Sequence, residues 1–179
     1  MKTIRSNKKG FGIHSPFIYR LVTEILFPHA DFYAFEEIDR LKKEINERKQ
    51  LTTLFRLLNH FQPKTVMWIG ELVKNENQIL KKPIPDAEFI LFNFSTDAKK
   101  IQQHLKSCPF VIFEKYPVLE IEVPETNAIW FIKKNSSDKD SGQIFQPLRI
   151  GHGIVTIKLD QAEIIIFDKR FPDQDYVIK

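Results

Sequence analysis

Gln62–Leu72, QPKTVMWIGEL, is the stretch on which the reading of the whole chain turns. Pro63 and Lys64 open it, Thr65 to Ile69 is an unbroken apolar or β-branched run, and Gly70 ends it. A short run of that composition predicts a strand buried on both faces, as in a parallel sheet. A glycine directly after such a strand is where many α/β sheets open a ligand loop. The residues that follow are Glu71-Leu72-Val73-Lys74-Asn75-Glu76, with no second or third glycine, so the place of a phosphate or adenosine loop is filled by side chains.

Upstream, Leu54, Phe55, Leu57, Leu58 and Phe61 recur at helical spacing, predicting a helix over Leu51–Phe61 that turns at Gln62-Pro63 into the strand. A further helix is expected from Phe35 to Lys49, with Ile38, Leu41 and Ile45 as a narrow apolar stripe and charged residues opposite. Ser15-Pro16 supplies an N-cap and a proline at the first helical position for a helix that Pro28 stops. Residues 1 to 12 are polar and basic and read as a lead-in with little order of its own.

Downstream, the pattern predicts a short helix over Asn75–Lys82, a strand over Phe89–Phe94 and a helix from Asp97 to Lys106 capped by Ser95 or Thr96. Short strands are expected at Phe110–Phe113, Val118–Val123 and Ala128–Ile132, then a polar loop over 133–142 and one helical turn at Ile144–Leu148. Gly153–Leu159 and Glu163–Asp168 read as a hairpin around Asp160-Gln161, and Asp175–Ile178 as a last strand. Together these give an α/β class: a Rossmann-like, mostly parallel sheet with a C-terminal antiparallel hairpin, helices on both faces and an N-terminal helical appendage. The expected division is an appendage over 1–49 and an α/β domain over 50–179.

A length of 179 residues at 42% hydrophobic content suits one sizeable core. The net charge of +4 is a mild excess without one long basic run, as on an ordinarily solvated surface. The single cysteine, Cys108, excludes an intramolecular disulfide; no base stands near it in sequence, so it reads as a structural thiol. No apolar signal core follows the basic N-terminus, and no run of about 18 apolar residues occurs, so a soluble cytoplasmic protein without a membrane span is expected. His14, His29, His60, His104 and His152 show no ligand spacing, and no metal is expected.

Two stretches carry a family resemblance. Gly12-Ile13-His14-Ser15-Pro16-Phe17, continuing through Tyr19 and Leu21-Val22, resembles the N-terminal signature of class I S-adenosylmethionine-dependent methyltransferases of the Bacteroidetes type. Leu54-Phe55-Arg56-Leu57-Leu58 with Phe61-Gln62-Pro63-Lys64-Thr65 resembles the helix and first strand of the same group, and Ile154 to Ile178 its last hairpin. The resemblance implies a seven-stranded Rossmann-like sheet with a cofactor cleft at the carboxyl ends of the early strands. This chain is shorter than typical members of that family.

It also departs from their pattern. Gly70 matches the first glycine of the cofactor loop, but bulky or charged residues replace the others. Where relatives end the second strand with a ribose-binding acid, Phe92-Asn93-Phe94 offers Asn93. Where they carry an acid after the fourth strand, Ile132 is followed by Lys133-Lys134. The candidate cofactor-binding residues are therefore Gly70, Glu71 and Asn93, with His14 and the glycine-flanked His152 as further polar candidates and no catalytic residue assigned. The preferred expectation is a methyltransferase-like protein with a degraded S-adenosylmethionine site, non-catalytic or partner-binding, with a protein partner or second copy on the N-terminal helices. The alternatives are an active methyltransferase with an unusual cofactor loop, and a weak nucleic-acid binder using Lys99, Lys100, Lys106, Lys133, Lys134 and Lys139 as a basic edge.

Overall fold

Eight strands form one sheet in the computed structural model, which describes residues 3–28, 32–41, 44–93, 95–96, 98–115, 122–134 and 153–179. The expected strand over Val118–Val123 falls mostly outside these residues; the turn Ile144–Leu148, His29, His152 and Lys139 fall outside entirely. The strands are β1 (Thr3–Ser6), β2 (Thr65–Ile69), β3 (Glu88–Phe92), β4 (Phe110–Phe113), β5 (Ala128–Lys133), β6 (Ile154–Lys158), β7 (Ala162–Phe167) and β8 (Gln174–Ile178). Their spatial order is β1-β8-β6-β7-β5-β4-β2-β3. Every neighbouring pair is parallel except the two made by β7, which runs antiparallel to β5 and to β6. This is the mostly parallel Rossmann-like sheet with a C-terminal hairpin that the sequence predicted.

Alternation along the strands divides the core between two faces. Val66 and Trp68 of β2, Phe110 and Ile112 of β4 and Ile129 and Phe131 of β5 face one layer, which holds α1 (Pro16–Arg20), α2 (Ala34–Leu41), α3 (Ile45–Phe61) and α4 (Lys74–Lys81). Met67, Ile69, Val111, Phe113, Trp130 and Ile132 face the other, where α5 (Ala98–Leu105) contributes Ile101 and Leu105. Helices thus lie on both faces.

Local chemistry explains the element ends. Ser15 caps α1, its hydroxyl oxygen accepting from the Ile18 N–H at 3.4 Å, and Pro16 fills the first turn. The helix continues as a π-helical stretch, Leu21–Leu26. Helix α3 stops because Gln62 adopts a left-handed φ of 46° ahead of Pro63. The Gln62 side chain steadies that turn by donating to the carbonyls of Asn59 (2.7 Å) and Pro83 (3.1 Å).

Two local expectations are corrected. The Phe35–Lys49 helix does not exist as one piece: α2 ends at Leu41, Glu44 is extended (ψ 131°), and α3 starts at Ile45. Ile45, which continues the apolar period on paper, is 59% exposed and belongs to the next helix. The lead-in residues are ordered, because Thr3–Ser6 pairs in parallel with β8, Arg5 opposite Val177, and Ile4 packs against the core. Residues before 50 therefore supply a strand to the sheet and helices to the same hydrophobic layer.

Candidate functional site at the carboxyl ends of the strands

The order of the strands reverses between β2 and β4: from β2 the chain goes to β3 on one side and then returns to β4 on the other. In open α/β sheets the crevice outside the carboxyl ends at such a point is where ligands bind. Gly70, Glu71 and Asn93 are brought together here, since Ile69 lies opposite Phe92 in the β2–β3 register.

Each is already occupied or turned outward. Gly70 has a φ of 137°, and its N–H donates to the Phe92 carbonyl at 2.8 Å, extending the ladder one residue past the strand. On the other side of β2 the Glu114 N–H donates to the Ile69 carbonyl at 3.0 Å. Two backbone donors that could have met a ligand are thereby spent within the sheet. The Asn93 carboxamide oxygen accepts from the Ser95 N–H (3.1 Å), the Ser95 hydroxyl (2.8 Å) and the Thr96 hydroxyl (3.0 Å), closing a local turn. Glu71 is exposed.

At this edge Lys133 turns inward. This last residue of β5 is only 5% exposed. Its ammonium donates to both carboxylate oxygens of Glu114 (3.0 and 3.2 Å), lies 3.6 Å from the Glu76 carboxylate and sits 4.6 Å from the centroid of the Trp68 ring. Glu76 is 3% exposed and stands in the first turn of α4, where a carboxylate also meets the positive end of the helix dipole. The Trp68 indole N–H is buried without a hydrogen-bond partner, so this ring is engaged through its face rather than its donor. A cation between two carboxylates on an aromatic face is strongly held where water is scarce, and removing one member leaves the others in a poor environment.

Beside this triad a second polar cluster seals the same edge. The Gln50 side chain on α3 donates to the carbonyls of Lys134 (2.8 Å) and Gln161 (2.9 Å), and Gln161 donates to the Thr53 hydroxyl at 3.2 Å. The Lys134 ammonium donates to the Leu159 carbonyl at 2.6 Å, and burial pushes its pKa down from the usual lysine value.

Of the basic-edge lysines, then, Lys133 and Lys134 turn inward. Lys106 pairs with Glu122 at 3.0 Å, and the hydrogen bond it donates to that carboxylate raises its pKa. Lys99 and Lys100 remain exposed on α5. His14 is exposed beside α1. Cys108 is buried, donates to the Phe110 carbonyl at 3.3 Å, and has its pKa pushed up by desolvation, all of which suit an inert thiol. Among the described residues no group of three or more His, Cys, Asp or Glu side chains is placed to hold a metal ion, and no helix is long and apolar enough to cross a membrane.

Two cavities lie at the amino ends of the parallel strands. One of about 540 Å³ is bordered by Val123–Asn127, Gly153, Ile154 and Phe167–Lys169, and another of about 250 Å³ by Phe17, Phe61, Pro63 and Pro109 among others. They share Asn127, Phe167 and Asp168.

No family model and no curated protein matches this chain. A solved structure does. It is a protein-(glutamine-N5) methyltransferase, release factor-specific, from Alicyclobacillus acidocaldarius, 13% identical, with a TM-score of 0.49 over 73% of this chain and 96% of that one.

Glu114 and Glu76 are the residues that sequence reasoning missed. Glu114 directly follows the run Phe110–Phe113, which is the available signal; the sequence reading places the fourth strand at Ala128–Ile132 and looks for the acid after it. The neighbour of β2 is β4, so the end of β4 borders the reversal point.

Proposed function

We propose that this chain is a methyltransferase-like protein whose S-adenosylmethionine site is closed, and that it acts as a non-catalytic, partner-binding protein. The resemblance at Gly12–Phe17 and Leu54–Thr65 and the reversal of strand order beside Gly70 support descent from a cofactor-binding sheet. One observation carries the claim of closure: the buried Lys133 ammonium joins Glu114, after β4, to Glu76, on α4, across the edge where the strand order reverses. The residues at this edge do not fit the cofactor. The Gly70 donor is spent on Phe92, the Asn93 side-chain oxygen is spent on Ser95 and Thr96, and the Glu114 and Glu76 carboxylates are engaged by Lys133.

The test is a calorimetric titration of the protein with S-adenosylmethionine. No heat of binding at millimolar cofactor is expected. Micromolar binding overturns the proposal in favour of an active methyltransferase with Gly70, Glu71 and Asn93 around the cofactor.

A further inference from the structure

The whole of the chain's net charge of +4 comes from its first 23 residues, which carry Lys2, Arg5, Lys8, Lys9 and Arg20 and no acid. The rest is close to neutral. Arg20 is answered by Glu24 at 3.2 Å. Arg5, Lys8 and Lys9 are exposed and make no ion pair among the described residues, and the Lys8 ammonium lies 5.2 Å from the centroid of the Phe27 ring.

Folding concentrates part of this charge with open aromatic surface. After β1 the chain turns tightly, the Gly10 N–H donating to the Asn7 carbonyl and the Lys9 N–H to the Asn7 side chain, both at 2.9 Å. The Ser6 hydroxyl donates to the Phe11 carbonyl at 2.6 Å and ties the turn back to the strand. Gly10 and Gly12 take φ values of 76° and 83°, which other residues adopt only under strain. Phe11, between them, is 69% exposed. Tyr19 of α1, 44% exposed, stands against Gly10, where an added Cβ would come within 2.7 Å of its ring. Both glycines therefore serve to present a ring: one lets Tyr19 approach, and the pair sends Phe11 outward.

We propose that this turn binds single-stranded nucleic acid, Lys8, Lys9 and Arg5 meeting phosphates and Phe11 and Tyr19 offering rings to bases. Non-specific single-strand binders combine cationic surface with aromatic faces in this way. An anionic membrane surface would also attract the charge, but interfacial helices bury a whole apolar face. Here the exposed apolar surface is two rings, enough to stack bases and little to anchor in lipid.

Fluorescence anisotropy with labelled oligouridine and oligothymidine, longer than the usual single-strand site of about 4–16 nucleotides, tests this. Binding should strengthen as salt falls, with a log–log slope near −2 for three neutralised phosphates. Phe11→Ala should weaken it about tenfold or more with the slope unchanged. Lys8→Glu with Lys9→Glu should abolish most of the affinity and flatten the slope, while Lys99→Glu with Lys100→Glu leaves both as in the parent. All these positions are exposed, and circular dichroism should show the fold intact. No binding at low salt, binding indifferent to the turn variants, or co-sedimentation with phosphatidylserine vesicles without oligonucleotide binding would each overturn the assignment.

Discussion

Among the described residues the two ends of the parallel strands are built differently. At the carboxyl ends Lys133, Glu114 and Glu76 form a buried ion cluster, and Gln50, Thr53 and Gln161 stitch the neighbouring edge. At the amino ends, where the topology calls for no ligand, lie cavities of about 540 and 250 Å³. The difference teaches that strand order only offers a site. Whether it is kept depends on a few long side chains from elements far apart in sequence.

The sharpest way to break this comparison is to empty the closed end. Lys133→Met removes the cation between two carboxylates and should destabilise the protein by about 3–5 kcal/mol in urea unfolding. A loss below about 1 kcal/mol would mean that the triad does not hold this end together.

The open end is probed by Gly153→Ala. Gly153 has a φ of 110°, and a Cβ there would sit 2.6 Å from the Asp168 carbonyl oxygen. About 2 kcal/mol should be lost in thermal or urea melts; no change would mean that the cavity wall yields easily.

A smaller effect separates the two seals of the closed end. Gln50→Ala takes two donated hydrogen bonds from buried carbonyls and should cost about 1–3 kcal/mol. If it costs as much as Lys133→Met, the uncharged cluster and not the ion triad is the principal closure.

The smallest effect concerns charge at the open end. Hydrogen bonds from Arg170 hold the Asp168 carboxyl below its usual value of 3.8. A depressed carboxylate adds stability that is fully present above the unfolded value and is lost as pH falls through the folded one. Asp168→Asn should therefore lower the urea midpoint slightly at neutral pH and flatten its acid limb, parent and variant converging as pH falls well below about 4.

The sheet itself was legible because its central strands are apolar on both faces; Phe110–Phe113 and Ala128–Ile132 admit few other readings. What escaped was either short or relational. Thr3–Ser6 has one core-facing apolar residue, Ile4, too little to mark a strand by pattern. The break at Glu44 was hidden because Ile45 keeps the apolar period while facing solvent. Gly70 and Asn93 were correctly placed at neighbouring strand ends, but no local signal shows that Lys133 reaches across to Glu114 and Glu76. That contact follows from the β2–β4–β5 register and the packing of α4, and from nothing within any one stretch.

The pairing of β1 with β8 also has a consequence for how the molecule is made. Thr3 lies opposite Asp175, so β1 has no neighbour in the sheet until β8 has been made. Contacts of such long separation close late, after the entropy of the intervening loop has been overcome. During synthesis Lys8, Lys9 and Phe11 therefore follow a strand that has nothing to dock against, and the geometry of their turn becomes fixed only when β8 is delivered.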